Sequence, residues 1–385
     1  MHPVDLDGTA AAVQALARAL RPHLDGDTGP AVVPLGPGEA LDVLRPELPV
    51  EADTALIVRT SGSTGSAKGV LLSAAALRAS ATATHARLGG PGTWLLTMPA
   101  HHIAGVQVVV RSLLVGTALA VLPAGGFQGR RFVEAASDVL MAEGPRYTAL
   151  VPTQLTRLLA EGGDALAAVR SFDAVLVGGA ATSPSTLRQA REAGINAVTT
   201  YGMSETAGGC VYDGSPLDGT RVRLVDDVIH LSGPSLAHGY RLDPDNPAFT
   251  DGWFHTSDLG RLVDGRLQVL GRTDDLINTG GKKVAPTAVE RVLTAQPGVV
   301  EACVVGLPDP EWGERVAAAI VSSGGVDTEE LTSAVKRELG PHAAPKQIHI
   351  VPELPLRGPG KVDRAAVARL LSAARISVEQ SPEHG

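Results

Sequence analysis

The sequence predicts an α/β protein: a large N-terminal domain of layered α/β sheets with a β-rich subdomain, then a small C-terminal α+β domain. Three observations carry this. Short β-branched runs alternate with helical patterns between residues 93 and 200, the signature of a sheet covered by helices. Val222–Leu231 and Arg261–Leu270 read instead as antiparallel hairpin material, with Asp264-Gly265 a strong turn dipeptide. From Thr273 the style changes again, to helices interleaved with two longer strands. A chain of 385 residues exceeds one comfortable core. The expected division is 1–273, with its β-rich part at about 220–272, then 274–376, then a polar tail at 377–385.

In chain order, Thr9 to Arg21 carries apolar positions at Val13, Leu16, Ala17 and Leu20, with Thr9 as N-cap and Pro22 as stop. Proline and glycine crowd 29–38, and a short helix is expected through Leu41–Leu44. Ala55-Leu56-Ile57-Val58 and Val70-Leu71-Leu72 are strands, followed by an alanine-rich helix from Ser73 to about Leu88. Further strands are expected at Thr93–Thr97, Ala118–Leu122, Ala149–Val151, Ala174–Val177 and Ala197–Thr200. Helices fall near 105–115, 131–142, 153–160 and 184–194. In the last domain the pattern gives helix 286–295, strands Glu301–Gly306 and Arg315–Val321, helix 328–339 and helix 363–374.

Composition excludes several function classes. The net charge of −8 and pI near 5.8 give no reason to expect nucleic acid or an anionic membrane as partner. Cys210 and Cys303 are the only cysteines, neither a disulfide framework nor a zinc pattern. The first ten residues lack a basic n-region, so no signal peptide is expected. Ala104–Leu122 is interrupted by Gln107, Arg111, Gly116 and Thr117, and reads as buried helix then strand, with no membrane span. The expected location is cytoplasmic, and homo-oligomerisation stays open.

The chemistry concentrates in a few stretches. Thr60-Ser61-Gly62-Ser63-Thr64-Gly65-Ser66-Ala67-Lys68-Gly69 hangs between two strands and packs three glycines, five hydroxyls and a lysine into ten residues. Glycines let backbone N–H groups close on an anion, and Lys68 adds charge, so a polyphosphate is the natural ligand. It is no Walker A loop, because Gly69 and a strand follow Lys68. Taken alone it is also an ordinary Ser/Gly hairpin. Tyr201-Gly202-Met203-Ser204-Glu205-Thr206 follows a strand, where open α/β sheets bind ligands. There Tyr201 offers a face for a base, Ser204 a phosphate donor, and Glu205 a hard oxygen ligand for magnesium. By itself this is also a satisfied turn. Trp253 and Phe254 read as core. His101 and His102 lack the partners of a metal site.

The glycine-rich loop resembles the phosphate-binding signature of the acyl-adenylate-forming superfamily, which includes acyl-CoA synthetases, luciferases and peptide-synthetase adenylation domains. The other motifs follow in family order over residues 54–364. The resemblance implies that Thr60, Ser61, Gly62, Ser63, Thr64, Gly65 and Lys68 hold phosphates. Gly178, Gly179 and Ala180 form the wall for adenine. Tyr201 to Glu205 matches Tyr-Gly-x-Thr/Ser-Glu, with Glu205 on magnesium. Gly252–Gly260 is similar to the ribose segment, with Asp258 the ribose ligand and Ser257 in place of the usual glycine. Arg272 reaches the nucleotide, Asp274 is the hinge of a mobile C-terminal domain, and Gly280–Val284 is brought to the site after rotation. His102 matches the histidine near the acyl pocket. Lys361, in the closing Gly-Lys motif, neutralises the carboxylate and α-phosphate as they meet.

The implied chemistry uses ATP, magnesium and coenzyme A on a small carboxylic acid, through an acyl-adenylate. It needs no enzyme nucleophile, so neither cysteine is assigned a role. The short region before the loop, with Arg87–Leu96, Tyr201–Gly219 and Gly358–Arg364, resembles the o-succinylbenzoate–CoA ligase branch, which implies menaquinone biosynthesis. For that acid's second carboxylate, Arg111 and bound water are the candidates. Another aryl- or acyl-CoA ligase, or an adenylating enzyme that loads a carrier protein, is the alternative. A non-catalytic nucleotide-binding module is disfavoured by the joint retention of Lys361, Glu205 and Asp258.

Overall fold

Thr9 caps the first helix, α1 (Ala10–Asp25), its hydroxyl accepting from the Ala12 N–H at 3.2 Å. The helix does not stop at Pro22 as expected. It ends at Gly26, whose φ of 100° lets the Gly26 and Asp27 N–H groups close on the carbonyls of His23 and Pro22. Burial of Leu20, His23 and Leu24 offsets the hydrogen bond that proline cannot make. The computed structural model describes residues 1–61, 67–357 and 361–379, with side chains for 1–60, 68–356 and 362–373. It divides into two units: Met1–Ala180, Gln189–Thr256 and Leu262–Leu267 form one, and Ala181–Arg188, Ser257–Arg261 and Gln268–Gly385 the other.

The first unit holds two sheets that share a core. In the five-stranded sheet, β1 (His2–Asp5), β2 (Val32–Leu35) and β3 (Leu56–Ser61) run parallel. β4 (Ala67–Leu72) returns antiparallel to β3, so the two strands flanking the glycine-rich loop form a ladder from Leu56↔Leu72 to Ser61↔Ala67. Residues 62–66 lie outside the described residues. The larger sheet holds β5 (Thr93–Leu96), β6 (Leu119–Val121), β7 (Arg146–Leu150), β8 (Ala174–Val177) and β9 (Ala197–Met203) in parallel, in the order β9-β8-β7-β5-β6. β10 (Gly208–Tyr212) and β11 (Ser215–Pro216) extend it antiparallel beyond β9.

Helices cover both faces of this sheet, as the alternation predicts. α1, α2 (Ala74–Leu88) and α3 (Ile103–Val115) pack on one face around Leu16, Leu77, Val106 and Trp94. α4 (Gly129–Leu140), α5 (Pro152–Glu161), α6 (Gly163–Arg170) and α7 (Pro184–Glu192) supply Phe132, Leu155, Val169 and Ala190 to the opposite face, around Leu95, Leu150 and Val175. α6 is not foreseen in the sequence: its eight residues, GDALAAVR, are short and bounded by glycine.

A third sheet has the order β12 (Arg221–Val225), β13 (Val228–Ser232), β16 (Trp253–Val263) and β15 (Phe249–Thr250), with β17 (Arg266–Arg272) beside β16. The β16–β17 turn has positive φ at both Asp264 and Gly265, 50° and 73°, as the dipeptide predicts. Strand alternation separates two neighbours expected together in the core. Phe254 is buried, whereas Trp253 points to the opposite face, where Arg221 and Arg223 lie over its ring. A further two-residue strand, β14 (Gly239–Tyr240), joins the edge of β4.

In the second unit, β18 (Ile277–Thr279), β19 (Lys282–Val284), β20 (Val299–Asp309), β21 (Gly313–Ser322) and β22 (Gln347–Ile350) form one sheet. α8 (Pro286–Thr294) and α9 (Thr328–Leu339) bury Val289, Leu293 and Val335 against Val304 and Ile320. α10 (Arg364–Glu379) buries Val367 and Leu371 against Cys303 and Val305, the alternate residues of β20. It runs through Ser377, where a tail was expected, because no glycine or proline interrupts Arg375–Glu379. Before it stands a small ladder, β23 (Leu356–Arg357) with β24 (Lys361–Val362).

Candidate active site

The first unit gathers three of the sequence motifs at the ends of strands. β8 and β9 are parallel neighbours, so Gly178-Gly179-Ala180 leaves the sheet beside Thr200 of β9. Gly178 permits this: a Cβ there would lie 2.1 Å from Thr200 Oγ1. Tyr201, Gly202 and Met203 still belong to β9, and the chain turns only at Ser204–Thr206 before running back as β10. Gly202 passes so close to its returning neighbour that a Cβ would lie 2.1 Å from the Gly208 carbonyl oxygen. Thr206 Oγ1 locks the turn, accepting from the Met203 N–H at 3.0 Å and donating to the Gly208 carbonyl at 2.7 Å. Ser204 is buried inside it.

This turn presents Glu205 to a residue that the sequence motifs do not single out. The Tyr240 hydroxyl donates to Glu205 Oε1 at 2.8 Å. Tyr240 stands in β14, paired with Val70 of β4, and its ring lies under Lys68 Nζ, 4.6 Å from the centroid. One aromatic side chain therefore links the lysine of the glycine-rich hairpin to the carboxylate after β9. Burial first, and the Glu205 carboxylate second, push the Tyr240 phenol well above its usual range, so it stays a donor. Thr60 Oγ1 donates to the Lys68 carbonyl at 3.5 Å across the base of the hairpin. Ser61 lies on β3, and Gly62, Ser63, Thr64 and Gly65 lie outside the described residues.

The next residue, Arg241, holds the hairpin from behind. Its N–H donates to the Gly69 carbonyl at 2.7 Å. Its buried guanidinium donates to the carbonyls of Leu44, Arg45, Leu48 and Pro49 and to Glu51 Oε2. Neither could be found by periodicity: Tyr240 sits in a two-residue strand, which carries none, and Arg241 lies just beyond it.

His102 is the N-cap of α3, and its ring is 4.2 Å from that of His101. Nine residues along, Arg111 is buried on the same helix. Its Nη2 donates to Thr84 Oγ1 at 3.2 Å and to the Tyr212 hydroxyl at 3.5 Å, and its guanidinium lies 4.8 Å from the Trp94 ring centroid. No carboxylate pairs with it among the described residues, and Nε has no hydrogen-bond partner. Burial pushes its pKa down from the usual guanidinium value. Burial first, and Arg111 second, hold His85 at about 4, so that imidazole is neutral at pH 7. Cys210 is pushed up to about 12 by burial, and Cys303 likewise. Neither is a thiolate nucleophile, in keeping with their lack of an expected role.

In the second unit, Asp258, Arg272 and Asp274 form one group. Arg272 Nε and Nη2 donate to the two Asp274 oxygens at 2.9 and 2.8 Å, and Nη1 lies 3.7 Å from Asp258 Oδ1. The bidentate partner raises the Arg272 pKa further. Lys361 sits on β24 opposite Arg357, with its side chain outside the described residues. Arg364, three residues on, donates to both Glu290 oxygens, at 2.6 and 3.1 Å, and fixes where α10 begins.

As a magnesium site, the arrangement offers one well-held carboxylate. No cluster of three or more His, Cys, Asp or Glu occurs among the described residues. Magnesium is commonly bound by one or two carboxylates together with water and substrate phosphates. No helix among the described residues is long and apolar enough to cross a membrane.

Residues 8–241 match the model of the AMP-binding enzyme family, and residues 288–361 that of the AMP-binding enzyme C-terminal domain. The chain is 47% identical over 381 residues to a probable 2-succinylbenzoate–CoA ligase of Mycobacterium tuberculosis, covering 96% of this chain and 97% of that one. Among solved structures it is similar to a single-residue variant of E. coli MenE with bound OSB-AMS, at a TM-score of 0.75 and 27% identity, covering 96% and 87% of the two chains. It shares the fold of Bacillus subtilis o-succinylbenzoate coenzyme A synthetase in complex with ATP and magnesium ion, at a TM-score of 0.73 and 24% identity, covering 94% and 88%.

Proposed function

The chain belongs to the AMP-binding enzyme family, and from that premise we propose that it is an ATP-dependent 2-succinylbenzoate–CoA ligase of menaquinone biosynthesis. The acid's carboxylate attacks the α-phosphorus of ATP, giving the acyl-adenylate and pyrophosphate. The thiol of coenzyme A then attacks the acyl carbon, giving the thioester and AMP.

The chain's residues divide the work by charge. Lys68, held over Tyr240, and the hairpin hydroxyls and amides receive the polyphosphate. Glu205, oriented by Tyr240, holds magnesium, which when bound neutralises phosphate charge. Ser204 donates to a phosphate, Tyr201 and Gly178–Ala180 flank the adenine, and Asp258 takes the ribose hydroxyls with Arg272 beside it. Lys361 neutralises the reacting carboxylate and α-phosphate, and Asp274 is the hinge between the two half-reactions. Domain boundaries near residue 273 follow from that role.

The observation that carries the choice of acid is Arg111. A buried guanidinium with no carboxylate partner is costly, because desolvation is not repaid by an ion pair. A substrate with a second carboxylate supplies the missing partner. His102, at the start of the same helix, lines the acyl side. The test compares 2-succinylbenzoate with benzoate in the wild type and in Arg111→Gln, reading KM and kcat separately. The reading expects Arg111→Gln to raise KM for 2-succinylbenzoate about tenfold or more, the size of a lost charged hydrogen bond. An unchanged KM with a lowered kcat would assign Arg111 to the scaffold instead.

A further inference from the structure

We propose that the outer face of the β12–β13–β16 sheet and the cavity beside it form a second anion site, for a diphosphate, either free or carried on a nucleoside. The cavity measures about 570 Å³, and Arg221, Ser232, His238 and Trp253 line it. None of Lys68, Glu205 and Tyr240 lines it, so it is separate from the site described above.

Arg221 and Arg223 alternate along β12 and share this face. Their guanidinium carbons lie 5.4 and 4.1 Å from the Trp253 ring centroid. Stacking fixes a guanidinium plane while leaving its in-plane N–H donors outward, which is how arginine recognises phosphate bidentately. Arg221 spends one N–H on Ser232 Oγ, at 2.8 Å. Neither arginine has a carboxylate within ion-pair distance among the described residues. Two positions i and i+2 on a strand stand about 6.7 Å apart, a span for two linked phosphoryl groups better than for one.

Two imidazoles complete the face and leave a polar atom unpartnered. His230 pairs directly with Arg223 across the ladder and stacks on His255, with ring centroids 4.1 Å apart. His230 is nine-tenths buried, and its Nδ1 has no hydrogen-bond partner. Burial first, then His255 and Arg223, lower the His230 pKa, so the positive charge of the face rests on the two arginines, which no carboxylate pairs among the described residues.

The experiment is isothermal titration of the full chain with pyrophosphate, with ADP, and with sulfate as a charge control. Wild type should bind two pyrophosphates per chain. Arg223→Gln should weaken one of them about tenfold or more, Arg221→Gln should weaken the same one, and Lys68→Gln should weaken only the other. Pyrophosphate bound there without ADP identifies a free diphosphate, and ADP bound equally well identifies a nucleoside-carried one. The proposal is overturned if wild type has only the Lys68-dependent site, if sulfate binds the second site as well as pyrophosphate, or if both arginine variants retain wild-type binding.

Discussion

Tyr240→Phe isolates the link between the hairpin and Glu205, the carboxylate proposed to hold magnesium. The substitution removes one atom and keeps the ring. That ring still packs against Phe249, with centroids 5.3 Å apart, and still lies under Lys68. What disappears is the 2.8 Å hydrogen bond to Glu205 Oε1. A hydrogen bond to a charged group is worth about 1.5–3 kcal/mol, and Glu205 is half-exposed, so the lower end applies. At 1.36 kcal/mol per decade, that lowers kcat/KM for adenylation about tenfold. The loss should lie in how Glu205 is oriented. The magnesium concentration for half-maximal pyrophosphate release should therefore rise, and the melting temperature should stay within a few degrees. A variant with wild-type magnesium dependence would refute the role given to Tyr240, whatever its rate.

Three other perturbations probe separate parts of the account. Lys361→Ala should slow adenylation by about 10²–10³-fold, the range for one lost electrostatic donor, and unchanged pyrophosphate release would remove Lys361 from the chemistry. Asp274→Pro should spare adenylate formation and block thioester formation, because proline fixes φ at the hinge; equal loss of both half-reactions would point to the broken Arg272–Asp274 pair instead. His85 is held near 4 when folded and returns to about 6.5 when unfolded, so the unfolded chain binds the extra proton between those values. Stability should thus fall as pH drops from 6.5 towards 4, and urea melts of His85→Gln should show a shallower fall over that window.

Much of the layered sheet was legible because local pattern and long-range pairing agree there. Val175–Val177 is a buried parallel strand and reads as an unbroken apolar run. Asp264-Gly265 dictates its own hairpin. Pro22 misleads because the packing of Leu20 and Leu24 outweighs one missing hydrogen bond. Trp253 misleads because an aromatic residue beside a buried Phe254 reads as core, although neighbours on a strand face opposite ways. Among the candidate residues, Lys68 and Glu205 of the first unit and Asp258 of the second are singled out by motifs. Tyr240 does not, because it reaches the site through a pairing with Val70, far back in the chain. Arg111 shows its character only in three dimensions: sequence gives a lone arginine in an apolar helix, and burial without a counter-charge makes it informative.

The most direct test of the whole reading is magnesium-dependent pyrophosphate release from ATP with 2-succinylbenzoate, run with and without coenzyme A, with mass detection of the thioester. The account predicts pyrophosphate release that requires the acid, and a 2-succinylbenzoyl-CoA product with AMP once coenzyme A is added. Pyrophosphate release with 2-succinylbenzoate but no thioester would contradict the ligase assignment, and no acid-dependent pyrophosphate at all would contradict the catalytic reading of Lys68, Glu205 and Lys361.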